Sequence, residues 1–125
     1  MYWSFENFHS PDYVLISTGG IFTHTDFANM FDELFRLDYW CPLMPLLLDE
    51  SELEIWAAST EQLAKAAETF LDQNSMLAYT RIAVVLASPK AMRVVERFGN
   101  AIGSQSKAVI EVFSDRKQAE DWLHV

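Results

Sequence analysis

The stretch that most limits how this chain can fold is Met44-Pro45-Leu46-Leu47-Leu48-Asp49, followed by Glu50-Ser51-Glu52-Leu53-Glu54-Ile55-Trp56. A short apolar run with no polar residue on either side of its period suits a β-strand covered on both faces, which belongs to an α/β sheet. Ligands of open α/β sheets gather beyond the carboxyl ends of such strands. The expectation is therefore a strand that breaks into a loop at Asp49, with 49–56 as the first place to seek a site.

The flanking sequence alternates between strand and helix signals. Tyr2 to Phe8 and Tyr13 to Thr18 read as strands joined by a Ser10-Pro11-Asp12 turn, and Gly19-Gly20 is expected to end the second strand. Thr23 offers a helix N-cap with Asp26 three residues on, and Phe27, Met30, Phe31, Leu34 and Phe35 follow at helical spacing. Ser59 with Gln62 opens a second helix that buries Leu63, Ala66, Ala67, Phe70 and Leu71. Ile82 to Ala87 reads as another strand, and Ser88-Pro89 as the start of a third helix ending between Gly99 and Gly103. Ala108 to Phe113 reads as a last strand, which Glu111 marks as an edge or partly wet face, and Ser114 is expected to cap a closing helix. The order is ββαβαβαβα, a single α/β domain over 1–125 with a mixed sheet that is mainly parallel.

Charge excludes some functions. The net charge is -9, and residues 1–62 hold eleven acids against one base, Arg36, while the remainder holds eight bases against seven acids. A general nucleic-acid binder needs the opposite balance, so no nucleic acid is expected as a partner. Any anion-seeking surface lies in the second half, where Lys90, Arg93 and Arg97 recur at i, i+3 and i+7 opposite the apolar stripe of the third helix. They read as a solvated face or as a site for acidic headgroups or an acidic partner. A single cysteine, Cys41, allows no internal disulfide. Without a membrane-length apolar run or a basic-then-apolar leader, the reading is a soluble, cytoplasmic protein.

Chemistry-bearing residues form no catalytic or metal signature. His9, His24 and His124 lack ligand spacing, Cys41 has no local motif to activate it, and Asp49, Glu50, Glu52 and Glu54 lack a companion base. Those acids read as a solvated loop. Enzyme activity, metal and cofactor are therefore not expected. The aromatic surround of the central strand is the remaining feature: Phe27, Phe31 and Trp40 before it, Leu53 and Trp56 after it. Such residues either fill a core or line an apolar pocket.

Taken in order, Gly20-Ile21-Phe22-Thr23 with Asp26, Leu46-Leu47-Leu48-Asp49, Arg81-Ile82-Ala83-Val84-Val85, and Val112-Phe113-Ser114-Asp115 with Ala119, Trp122 and Leu123 resemble the SpoIIAA-like (STAS/SEC14-type) domains over nearly the whole chain. The resemblance implies a mixed sheet of about five strands with four main helices. It also implies relatedness to anti-sigma-factor antagonists and similarity to lipid-carrying CRAL-TRIO domains. The antagonists carry Asp-Ser-Ser-Gly after the central strand; here Ala57-Ala58-Ser59-Thr60 takes those places, and Ser59 alone matches. Ser59 is thus a helix cap and, by resemblance, a candidate phosphoacceptor. Two functional expectations follow. One is a non-enzymatic domain binding an apolar or amphiphilic, lipid-like ligand between its first helix and the sheet, at a membrane surface. The other is a regulatory protein-interaction module switched at Ser59. A homodimer is compatible with either.

Overall fold

The computed structural model describes residues 1–124. Strands β1 (Tyr2–Phe8) and β2 (Tyr13–Ile21) form a hairpin, followed by helix α1 (His24–Arg36) and strand β3 (Leu46–Glu54). A 3-10 turn at Ile55–Ala57 leads into α2 (Thr60–Asp72), the one-turn α3 (Asn74–Leu77), β4 (Arg81–Val85) and α4 (Pro89–Ile102). A second 3-10 turn at Gly103–Gln105 precedes β5 (Val109–Phe113) and α5 (Arg116–Leu123).

The strands lie in sequence order, β1-β2-β3-β4-β5, with β1 antiparallel to β2 and the rest parallel. Such a steady progression with crossovers of one hand places every crossover helix on the same face. Accordingly Val14, Ile16, Leu46, Leu48, Ile82 and Val84 join the cluster formed with α1, α2 and α4. The alternate residues Tyr13, Leu15, Leu47, Ala83 and Val85 face α5 through Ala119 and Leu123. This two-sided burial is what the apolar run at Leu46 to Leu48 demands. Strand β5 is an edge, and its Glu111 is exposed there.

Three caps sit where the sequence places them: Thr23, Ser59 and Ser88 accept the N–H groups of Asp26, Gln62 and Ala91. Four expectations are corrected. The closing helix is capped by Asp115, which accepts the Lys117 N–H at 2.9 Å, not by Ser114. The Gln62 side chain accepts the backbone N–H of His24 at 2.8 Å and meets its ring at 2.7 Å, tying α1 to α2 rather than closing a capping box. Strand β2 runs through the glycines to Ile21. Gly20 has φ +78, and an added Cβ at Gly19 would meet the Tyr2 ring at 2.2–2.5 Å, so both glycines continue the pairing instead of ending it.

The fourth correction concerns β3, which does not stop at Asp49. Ser17 pairs with Asp49 and Gly19 with Glu52, so β3 advances three residues while β2 advances two. The extra residue is a β-bulge at Glu50-Ser51. It shifts the side-chain parity, so that Leu53 and Ile55 return to the face already occupied by Leu46 and Leu48. Asp49 holds the bulge: its Oδ1 accepts Ser51 N–H at 3.0 Å and Ser51 Oγ–H at 2.7 Å, while its carbonyl accepts Thr18 Oγ1–H at 2.9 Å. Asp49→Ala should lower stability by about 1–2 kcal/mol in urea unfolding, whereas Asp49→Asn, which keeps an acceptor, should lose less. An unchanged midpoint in Asp49→Ala would remove this role.

Candidate functional site

Helix α5 packs directly on β3, β4 and β5, but α4 packs chiefly on α2 and on the 3-10 turn that follows β3. Between α4 and the strands lies a cavity of about 490 Å³. Its floor is Leu48 and Glu50 of β3, Ile82 and Val84 of β4, and Ile110 and Val112 of β5; α4 covers it with Val95, Phe98 and Ile102. Phe22, Phe27, Phe31 and Phe70 complete the wall. With Phe98 they form a connected set of tilted and edge-to-face pairs, with centroids 5.1–6.1 Å apart, which fixes the ring positions. The exposed lining residues are Met92, Glu96, Gly99 and Asn100, so the cavity opens along the flank of α4.

Glu50 is the polar group inside. It is 4% exposed and has no hydrogen bond or ion pair to another described residue. Burial, and secondarily the neighbouring Asp49 carboxylate, push its pKa from the ordinary 4.5 up to about 8. The side chain is therefore a neutral carboxylic acid at pH 7, with hydrogen-bonding capacity left unused in an apolar enclosure. Among the described residues, no lysine, arginine or histidine lines the cavity.

Of the residues singled out from the sequence, Phe27 and Phe31 line this cavity. Three do not. Leu53 is fully buried in the core, Trp40 packs edge-on against Phe35 at 4.9 Å, and Trp56, 46% exposed, lies elsewhere. Trp56 instead joins Lys90, Arg93 and Arg97 around a shallow surface depression, which shares Glu96 and Asn100 with the cavity lining. One aromatic candidate, Trp56, and the three basic candidates, separate in the sequence, thus meet on one surface next to the cavity opening. Ser59 is exposed and its Oγ accepts the Gln62 N–H at 3.1 Å. The acids after Asp49 do not form a solvated loop: they belong to β3, with Glu52 and Glu54 exposed and Glu50 turned into the cavity.

Phe22, Phe70, Phe98 and Glu50 were not marked as site residues by the sequence. For Glu50 a signal existed, the change from even to odd apolar positions between Leu48 and Leu53, which only a bulge reconciles. Cys41 is exposed in the connection between α1 and β3. Among the described residues no group of three His, Cys, Asp or Glu could hold a metal ion, and no helix is long and apolar enough to cross a membrane.

No family model matches the chain, and no curated protein matches it. Among solved structures it is similar to an uncharacterized protein of the DUF3478 family with a SpoIIAA-like fold from Shewanella loihica PV-4. The two share 21% sequence identity over 98% of this chain and 92% of that one, with a TM-score of 0.61. The five-stranded mixed sheet and its helices are thus a SpoIIAA-like α/β fold, as the resemblance in the sequence implies.

The buried acid gives a pH signature. Between pH 4.5 and about 8 the folded state keeps a proton on Glu50 that the unfolded chain has lost, so folding stability falls as pH rises through that window. The fall should be on the order of 5 kcal/mol at most, read as a declining thermal midpoint. Glu50→Gln should flatten it; an equally steep decline in the variant would assign the effect to other groups.

Proposed function

We propose that this chain is a non-enzymatic binding domain for an apolar or amphiphilic, lipid-like small molecule held in the cavity beneath α4. One observation carries the reading: a cavity of about 490 Å³ walled by five phenylalanines and aliphatic side chains, open along one helix flank. Its size falls within the roughly 300–1,000 Å³ of small-molecule sites, and its lining is of their kind, mostly apolar with few polar groups. The described residues facing it include no nucleophile, no base paired with an acid and no metal-ligand set, which favours binding over catalysis.

The surface beside the opening supports delivery at an anionic membrane. Trp56, 46% exposed, shares this surface with Lys90, Arg93 and Arg97, the combination of apolar anchor and cation that interfacial binding uses. The alternative of a phosphate switch at Ser59 has exposure in its favour, but that hydroxyl already serves as the helix cap.

The test is a homologous series of straight-chain alcohols measured by displacement of an apolar fluorophore. Each added methylene should tighten binding about fourfold, from roughly 0.8 kcal/mol per buried CH₂, until the cavity is full. Val95→Trp, which places a large ring on the cavity wall, should abolish displacement. Arg93→Glu with Arg97→Glu should leave displacement intact and remove association with anionic vesicles. Affinity independent of chain length, or unaffected by Val95→Trp, would refute the cavity as the site.

A further inference from the structure

Among the described residues one polar group, Glu50, is enclosed in the cavity, and its chemistry restricts what can lie against it. Glu50 sits on the floor beside Leu48, at the β-bulge, without a partner among the described residues. Asp49 next in sequence and Glu96 at the opening are also acids, while Lys90, Arg93 and Arg97 lie outside the enclosure, on the depression beside the opening. We propose, on the reading that the cavity is a ligand site, that its ligand is a cationic amphiphile, a hydrophobic amine whose ammonium pairs with the Glu50 carboxylate while its apolar chain lies among the phenylalanines.

Three head groups compete for that position. An alkanoate can accept the O–H of neutral Glu50, but its charge is then buried beside the Asp49 carboxylate with no cation among the described lining residues to offset it, or it must take up a proton. An alcohol makes an ordinary hydrogen bond with the neutral acid. An ammonium makes a charge-assisted one, about twice as strong, after Glu50 gives up its proton. With the acid at about 8, that ionisation weakens binding at pH 7 by about tenfold. Desolvated charge pairs couple by tenfold to well over a thousandfold, so the amine retains the advantage. The step balances: the alkylammonium and Glu50–COOH give the ammonium–carboxylate pair and one proton released to the buffer.

Calorimetric titration of the full chain at pH 7 with decylamine, decanol and decanoate, each below its micellar concentration and in two buffers of different ionisation enthalpy, tests this. Decylamine should bind at least about tenfold more tightly than decanol, decanoate should bind most weakly, and close to one proton should be released per amine bound. In Glu50→Gln the preference for the amine over decanol should vanish, and with it the proton release on amine binding. Ranking and proton count on the unaltered protein decide the matter even if that variant does not fold. Decanol binding as well as decylamine, or amine binding without proton release, would overturn the Glu50 pairing and leave the cavity reading standing. Failure of all three to bind would overturn both.

Discussion

The pairing of Asp49 with Ser51 across a β-bulge is the local interaction on which the rest of the molecule turns. Without the extra residue, the side chains after Asp49 would point to the wrong faces: Leu53 would meet α5 instead of the main core. With it, β3 continues to Glu54 and delivers Ile55 and the following turn to the place where α2 and α4 are anchored. Glu50 falls on the inward face by the alternation it shares with Leu46 and Leu48, and the bulge that follows returns Leu53 and Ile55 to that same face, so the acid is enclosed among apolar side chains.

The second constraint is the uneven attachment of the helices. The small side chain of Ala119 lets α5 lie close on the sheet, and that face is closed. On the other face, phenylalanines at positions 27, 31, 70 and 98 hold one another through their edges and keep α4 leaning on α2. The space beneath it remains. A buried acid without a partner lowers stability, since a buried polar group without a hydrogen bond costs roughly 1–3 kcal/mol. Departures from good packing and polar satisfaction tend to fall together at functional sites. Both occur here within one enclosure, which is why the functional reading rests on it.

Much of the architecture was legible because it depends on short-range chemistry. The caps at Thr23, Ser59 and Ser88 and the two-sided apolar strands at Leu46 and Ile82 carry their signals within a few residues. The bulge was not legible as such, because a break in alternation followed by acids looks the same as the end of a strand. The cavity was less legible still: Phe27 or Phe98 has the same spacing whether its ring fills a core or lines a gap. The difference lies in how far α4 stands from β4 and β5, which no local pattern records. Trp40, Leu53 and Trp56 were grouped with Phe27 and Phe31 by proximity to the strand, and the fold sends them to three other environments.

The central claim is that the space between α4 and the strands is an occupied site in the working protein. A crystal structure of the protein isolated without detergent or heating addresses it most directly. The expected result is elongated density running from Glu50 past Phe98 to the opening beside Met92. Collapse of α4 onto the sheet, with Val95 against Ile110 and Val112 and no enclosed space, would contradict the account.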